Sequence, residues 1–257
     1  MKYAFVTPYY REERALIERC IASVRAQTPQ ADHILVADGH PQDWIDAQPV
    51  RHIRLDRCHA DYGNTPRTLG ALLAAAEDYA GIAFLDADNW LEPDHLASCL
   101  LAAGSTPDCD YVIAQRHLRR PDGTPLPLPD EPVVDHVDTN CLFMLPGSYH
   151  IIPHFGLMPH GLAAVGDRIF YAALRGARMR PAVVPHKTVN YLALFASMYA
   201  RAGETPPPEA KRLDPGRILA DWLQQQTPRT LELAGRRAGI RFAAHPVQQP
   251  AAPGQRR

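Results

Sequence analysis

The sequence lacks the marks of a disulfide-stabilised or membrane-spanning protein. None of its five cysteines forms a Cys-x-x-Cys pair, which argues against a disulfide framework and against a structural zinc site. No apolar run approaches the roughly 20 residues that a membrane helix needs. Residues 1–6 lead directly into a predicted strand, so no signal peptide fits there. We therefore expect a cytoplasmic protein with reduced thiols.

An excess of charge of one sign is also missing. The 27 basic and 28 acidic residues leave a net charge of −1, so the charge balance does not point to a nucleic-acid partner. The sequence contains neither G-x-G-x-x-G nor G-x-x-x-x-G-K-[ST]. The dinucleotide fingerprint and the P-loop are therefore excluded as the basis of any nucleotide site.

Short apolar runs alternate with segments of helical spacing, and 257 residues are enough for one such α/β domain. Strands are predicted at residues 3–7, 33–37, 51–55, 82–85, 111–115 and 179–184. A helix is predicted at residues 11–26, and another begins with Thr65 and Pro66 as cap and first turn. The predicted inner face of this second helix consists of Leu69, Leu72, Leu73 and Ala76. The alternation predicts a mostly parallel central sheet flanked by helices.

Two carboxylates, Asp86 and Asp88, stand directly after the apolar run at residues 82–85. The carboxyl ends of strands are where ligands bind in open α/β sheets. Two carboxylates one residue apart can hold a hard divalent cation, which would in turn bind a diphosphate. Asp-x-Asp alone is a common tripeptide, and the alternative is that both residues only shape a loop.

The order of these elements resembles the family 2 glycosyltransferases of the GT-A fold, which are nucleotide-diphospho-sugar transferases. The resemblance covers about residues 3–200. It rests on Val-Thr-Pro-Tyr-Tyr at residues 6–10, the helix end at residues 23–28, Ile-Leu-Val-Ala-Asp-Gly at residues 34–39, and the Asp-x-Asp motif. It implies a single GT-A domain with a mostly parallel sheet.

The resemblance also implies a donor site and a metal site. The nucleotide-sugar-binding residues are then Thr7, Pro8, Tyr9, Asp38, Asn64, Arg67, Asp86 and Ala87. Asp88 and His186 are the implied ligands of Mn²⁺ or Mg²⁺. Asp38 has a competing role as a turn-former before Gly39, and an isolated histidine such as His186 is more often structural. His40-Pro41 departs from the small hydroxyl residue usual in the family.

A second acidic motif of the family corresponds to Val165-Gly166-Asp167-Arg168, where the usual acidic pair is reduced to Gly-Asp. The resemblance makes Asp167 the catalytic base that activates the acceptor, and it places Thr139 and Asn140 on the acceptor side. The alternative for Asp167 is a helix-capping role, which is favourable by about 0.3–1 kcal/mol at a helix N-terminus.

A proline-rich segment at residues 116–132 carries Arg116, His117, Arg119 and Arg120 near its start. A loop this long is usually a functional lid or flexible. These basic side chains either approach phosphate or belong to a solvated hairpin. Strands are predicted to follow at residues 133–137 and 140–145.

We divide the chain into a GT-A domain at residues 1–205, a C-terminal helical extension at 206–243 and a tail at 244–257. The tail is rich in Pro, Gln and Ala and is expected to be disordered. The extension combines Ile218, Leu219 and Trp222 with several arginines. Such a segment either packs onto the domain or contacts the inner face of the membrane.

The resemblance therefore implies metal-dependent transfer of a sugar from a UDP-linked donor to a hydroxyl of a saccharide or lipid-linked acceptor, in the synthesis of surface polysaccharide or glycoconjugate. The transfer is expected to be inverting, with retention as the open alternative; if it inverts, Asp167 takes the proton from the acceptor hydroxyl. A homodimer is a further candidate assembly. One alternative is a sugar-phosphate nucleotidyltransferase, which normally has a Gly-rich loop that residues 8–11 lack. Another is a catalytically inactive GT-A scaffold that binds a partner.

Overall fold

One eight-stranded sheet organises the protein. The computed structural model describes residues 1–127 and 136–242. The strands in chain order are β1 Tyr3–Tyr9, β2 Asp32–Ala37, β3 Arg51–Arg54, β4 Gly81–Phe84, β5 Trp90–Leu91, β6 Tyr111–Arg119, β7 Leu142–Met144 and β8 Pro181–Leu192. Their order across the sheet is β3-β2-β1-β4-β7-β6-β8-β5. The predicted strand residues 133–135 and the tail lie outside the described residues.

The sheet is mostly parallel, as predicted. Strands β3, β2, β1 and β4 pair in parallel, and so do β6 and β8. Strand β7 is antiparallel to both β4 and β6 and joins the two parallel groups. The inner strands are buried on both faces, which is why they read as continuous apolar runs in the sequence.

Eight α-helices flank the sheet within the described residues. They are α1 Arg14–Arg25, α2 Asn64–Ala76, α3 His95–Gly104, α4 Pro153–Leu157, α5 Gly166–Gly176, α6 Ala196–Arg201, α7 Pro215–Gln224 and α8 Pro228–Ala238. Helix α1 buries Ile17, Cys20, Ile21 and Val24, at the spacing that predicted it. Phe155 of α4 and Phe170 of α5 stack with ring centroids 3.8 Å apart and meet Phe84 of β4 edge to face. This aromatic contact seats α5 against the sheet.

The predicted inner face of α2 is wrong. Leu69 and Leu72 are 43% and 37% exposed. The buried face instead carries small residues, and a Cβ on Gly70 would meet Val6 Cγ1 at 2.6 Å. Because α2 lies this close to the sheet, its large side chains turn outward. The helix begins at Asn64, and the Asp61 carboxylate accepts a hydrogen bond from the Thr65 amide at 2.9 Å.

The C-terminal helices pack onto the domain. Helix α7 lies against the 3-10 turn His160–Val165, and α8 contacts α4. The ring of Trp222 lies 5.0 Å from that of Phe242, and Ile218 and Leu219 pack on the core. The apolar side of the predicted extension is therefore used in packing. Among the helices of the described residues, none has the length and apolarity of a membrane span.

Two buried histidines make the stability of the fold dependent on pH. Burial lowers the pKa of His33 to about 3 and that of His95 to about 4, and each ring is hydrogen-bonded to a buried threonine hydroxyl at 2.8 Å. Both rings are neutral in the fold, whereas the unfolded chain binds protons below about pH 6.5. Their stabilisation is therefore complete above that pH and is lost as pH falls toward 4.

We predict that wild-type protein loses about 1–3 kcal/mol more unfolding free energy between pH 7.5 and 5.5 than the double variant His33→Gln/His95→Asn. Urea titrations at several pH values measure this difference. The pKa of Asp88 is raised, so its contribution to the free energy of unfolding changes with pH in the opposite direction. Both proteins contain Asp88, so this contribution cancels in their difference. Parallel pH profiles for the two proteins would contradict the prediction.

Candidate active site

A cavity of about 600 Å³ opens where β1, β2 and β4 end. This is the edge of a parallel sheet at which ligands bind. Ten of the thirteen residues predicted for the site line the cavity, namely Pro8, Tyr9, Asp38, Asn64, Arg67, Asp86, Ala87, Asp88, Thr139 and Asp167. The structure thus brings together residues that are up to 159 positions apart in the sequence, from Pro8 to Asp167.

The carboxylate of Asp86 is held from two sides. Arg67 Nη2 of α2 donates to Oδ1 at 2.6 Å, and Asn140 Nδ2 donates to Oδ2 at 2.9 Å. The Asp86 amide donates in turn to Asn140 Oδ1 at 2.5 Å. Arg67 is itself buried and also donates to Asn64 Oδ1 at 3.1 Å. Asp86 is therefore a fixed, charge-paired residue, and Asn140 supports it from behind the cavity wall.

Asp88 has the opposite environment. No hydrogen bond from another described residue reaches its carboxylate. Burial, the neighbouring Asp86 charge and Glu12 raise the pKa of Asp88 to about 7, and the charge of Lys211 acts against them. Its backbone is fixed, because Arg19 Nη2 donates to the Asp88 carbonyl at 2.9 Å while the guanidinium lies over the Trp90 ring. A bound cation would stabilise the ionised form of this carboxylate.

These properties of Asp88 fit a divalent cation. Mg²⁺ is commonly bound through one or two carboxylates, with water and phosphate oxygens as its other ligands. The described residues contain no cluster of three His, Cys, Asp or Glu side chains that could hold a metal by themselves. The Asp88 carboxylate would therefore hold the ion together with oxygens from outside the protein.

The loop after β3 is built around Asp38. Its carboxylate accepts hydrogen bonds from the backbone amides of His59 at 2.8 Å and Ala60 at 3.1 Å. Gly39 follows with φ of +73°, and a Cβ there would meet the Cys58 amide nitrogen at 2.3 Å. Asp38 therefore shapes the loop and lines the cavity, and its nucleotide-binding role stays a prediction.

Asp167 lies in the first turn of α5, next to a histidine. Its Oδ2 forms a short contact with His136 Nε2, and its Oδ1 accepts from the Arg168 amide at 2.7 Å. Burial raises the pKa of Asp167, but the hydrogen bond and charge of His136, with the help of Arg168, outweigh burial and hold this pKa below its ordinary value. Asp167 is thus an ionised carboxylate that faces the cavity.

Asp138 connects the two acidic parts of the cavity. Its carboxylate accepts from the Asn140 amide at 3.0 Å and from Arg116 Nη1 at 2.6 Å. Burial raises its pKa, Arg116 opposes this, and the charges of Asp86 and Asp167 add to it. The Arg116 guanidinium also lies 4.6 Å from the Tyr191 ring centroid. One member of the predicted basic cluster, Arg116, therefore reaches the cavity.

Two predicted site residues lie elsewhere. Thr7 is fully buried, with its hydroxyl 2.8 Å from His33 Nε2, and does not reach the cavity. His186 is exposed and pairs with Asp94 at 3.0 Å, away from the cavity lining. The metal role expected for His186 depended on a strand that ends near residue 184. Because β8 continues to Leu192, His186 lies in mid-strand.

Sequence reasoning missed His136, Asp138 and Lys211, which line the same cavity. His136 and Asp138 follow the proline-rich segment, and Lys211 lies in a loop between α6 and α7. His136 falls in the predicted strand at residues 133–137, whereas Asp138 and Lys211 belong to no predicted helix or strand. The only available signal was the density of polar residues at 135–140, Asp-His-Val-Asp-Thr-Asn, directly before a predicted strand.

The sequence matches the family model described as Glycosyl transferase family 2 over residues 4–174, which is more than half of the chain. The chain belongs to glycosyl transferase family 2. The matched region contains the Asp-x-Asp motif, Asp138 and Asp167. No curated protein matches the sequence. Membership makes the chain a glycosyltransferase, an enzyme that transfers sugar from a nucleotide sugar, and removes the support for the nucleotidyltransferase alternative.

Solved structures of S. aureus TarS have a similar fold. TarS 1–349 in complex with UDP gives a TM-score of 0.56 at 11% identity, covering 92% of this chain and 70% of that chain. The complex of TarS 1–349 with UDP-GlcNAc gives a TM-score of 0.54 at 10% identity, covering 92% of this chain and 71% of that chain. A further TarS structure gives a TM-score of 0.54 at 13% identity. The match covers 88% of this chain and 43% of that chain. At these identities the likeness shows the GT-A fold of this glycosyltransferase.

The contrast between the two motif carboxylates predicts opposite effects on stability. At pH 8, Asp88→Asn should raise the free energy of unfolding of the ligand-free protein, because an ionised carboxylate without a partner is replaced by a neutral amide. The sign follows from the raised pKa, since the stability associated with Asp88 is lost as pH rises through 7. Asp86→Asn should lower the free energy of unfolding by about 1–3 kcal/mol, because Arg67 loses its charged partner.

Urea unfolding of both variants beside wild type tests this contrast. Repeating it at pH 5.5 provides an internal comparison. Asp88 is then ionised in the unfolded chain but largely protonated in the fold, so its replacement should raise the free energy of unfolding less than at pH 8. Equal destabilisation by both substitutions at pH 8 would show that Asp88 is a structural residue.

Proposed function

We propose that this glycosyltransferase moves a sugar from a UDP-linked donor to a hydroxyl of a saccharide or lipid-linked acceptor, with Mn²⁺ or Mg²⁺ bound at Asp88. The observation that carries the proposal is the Asp88 carboxylate, which has no hydrogen-bond partner within residues 1–127 and 136–242 and lies beside the fixed Asp86. The same cavity also contains the ionised Asp167. The TarS structures, which bind UDP and UDP-GlcNAc, support a UDP-linked donor.

The donor's nucleoside is assigned to the end of the cavity formed by Pro8, Tyr9 and Asp38. Tyr9 is a rigid wall there, because its hydroxyl lies 2.6 Å from His52 Nε2 and accepts from the Gln42 amide at 3.0 Å. The diphosphate is assigned to Asp88. Bound there, Mn²⁺ or Mg²⁺ would act as a Lewis acid that balances charge on the departing diphosphate.

The acceptor is assigned to the side of the cavity formed by Thr139, His136 and Asp167. In an inverting reaction Asp167 Oδ takes the proton from the acceptor hydroxyl as its oxygen attacks the anomeric carbon. His136 fixes the orientation of this carboxylate and lowers its pKa. The base is therefore ionised at neutral pH and ready to accept a proton.

We also propose contact with the inner face of a membrane, formation of a homodimer and a place in surface polysaccharide synthesis. The apolar face of α7 packs on the domain. Any contact with the inner face of a membrane would therefore depend on the exposed arginines of the C-terminal helices rather than on buried apolar area.

We predict that Asp167→Asn lowers glycosyl transfer by at least about a hundredfold while UDP binding changes little, because a positioned general base contributes roughly 10²–10⁴-fold in rate. Transfer is measured by release of UDP from a panel of UDP sugars with candidate saccharide acceptors, and UDP affinity by calorimetry in Mn²⁺ buffer. Asp221→Asn, an exposed acid on α7, serves as the control and should keep full activity.

His136→Gln refines the same experiment. Removing the imidazole should raise the pKa of Asp167, so the acidic limb of the pH–rate profile should move to higher pH.

Transfer by Asp167→Asn at the wild-type rate would refute the role of Asp167 as the base. UDP binding by wild type without turnover of any donor would instead favour the inactive scaffold.

A further inference from the structure

The segment after β8 forms one wall of the cavity. Its lining residues are Leu194, Phe195, Ser197, Met198, Lys211 and Leu213. Among these, only Lys211 carries a charge. No sequence pattern selects this lysine, because it lies in a proline-rich loop between α6 and α7.

The backbone fixes Lys211 against the end of β8. Its amide donates to the Leu194 carbonyl at 2.7 Å, and its carbonyl accepts from the Ala196 amide at 2.9 Å. The end of β8 is tied to the Asp-x-Asp motif, because the Leu192 amide donates to Asn89 Oδ1 at 2.8 Å. A short chain of hydrogen bonds therefore sets the position of Lys211 relative to Asp88.

Within the described part of the chain, Lys211 is the cation on the donor side of this cavity whose side chain remains available for a ligand. Arg67 is engaged by Asp86, and Arg116 by Asp138, each at 2.6 Å. Arg168 is exposed beside Asp167, on the side of the cavity assigned to the acceptor. The Lys211 side chain is exposed, makes no hydrogen bond or ion pair with another residue in the described ranges, and is close enough to Asp88 for its charge to act on that carboxylate.

We propose that Lys211 binds the diphosphate of the donor and stabilises the negative charge that builds on it during transfer, an inference that rests on the proposed function. An ammonium is a compact point charge with three donors, which suits non-bridging phosphate oxygens. Preorganised cations at a developing negative charge are a large source of rate acceleration. With the cation at Asp88, Lys211 would contact the diphosphate from a second wall of the cavity.

Lys211 takes no part in proton transfer during the reaction. The bond between the anomeric carbon and the diphosphate oxygen breaks, and its electron pair stays on that oxygen. The acceptor oxygen forms the new bond to the anomeric carbon, and its proton goes to Asp167. Lys211 stays protonated throughout and acts through charge and hydrogen bonds, so an arginine at the same position should replace it in part.

The test compares Lys211→Met, Lys211→Arg and the matched control Arg212→Met, which removes a neighbouring exposed cation that does not line the cavity. UDP affinity is measured by calorimetry and uridine binding by ligand-observed NMR, both in Mn²⁺ buffer. We expect Lys211→Met to weaken UDP binding at least about tenfold, to lower kcat for transfer and to leave uridine binding unchanged. Lys211→Arg should recover part of both losses, and Arg212→Met should match wild type.

The outcomes separate this inference from the proposed function. Wild-type affinity for UDP and unchanged kcat in Lys211→Met would overturn the role of the lysine and leave the proposed function intact. Equal losses of UDP and uridine binding would also overturn it, because the lysine would then support the shape of the cavity wall. Failure of wild-type protein to bind any nucleoside diphosphate would overturn both proposals together.

Discussion

The ion pair between Asp86 and Arg67, completed by Asn140, is the interaction on which the site depends. It joins the end of β4 to the start of α2 and to the turn that leads into β7. Strand β7 is the antiparallel link between the two parallel groups of strands. The same interaction therefore fixes the Asp-x-Asp loop and brings the acceptor side of the cavity, with Asp138 and Thr139, next to the donor side.

Asp86 and Asp88, the two acids of the Asp-x-Asp motif, have different physical roles. Asp86 is satisfied by protein groups and stabilises the loop. Asp88 is held in place through its backbone, and no other residue of the described part of the chain donates a hydrogen bond to its carboxylate. A half-buried charge without a partner is unfavourable in the free protein. Unfavourable local arrangements of this kind are typical of functional sites, where a residue serves ligand binding at a cost in stability. The cation and the diphosphate would supply the missing partners.

The sequence was informative where a periodic pattern and a structural element coincide. Helix α1 and the buried strands follow directly from their apolar spacing, and the Asp-x-Asp motif lies just after β4 at the cavity. The face of α2 could not be predicted, because close contact of Gly70 with the sheet forces Leu69 and Leu72 outward. The position of His186 outside the cavity could not be predicted, because the length of β8 depends on its pairing with β6. His136 and Lys211 reach the cavity only through tertiary contacts of irregular segments.

A crystal structure of the protein with UDP and Mn²⁺ tests the central claim most directly. The account predicts a metal ion on the Asp88 carboxylate that also touches the diphosphate, with the nucleoside against Pro8, Tyr9 and Asp38. Density for UDP in which the diphosphate lies away from Asp88, or for a metal bound by Asp94 and His186 instead, would contradict it.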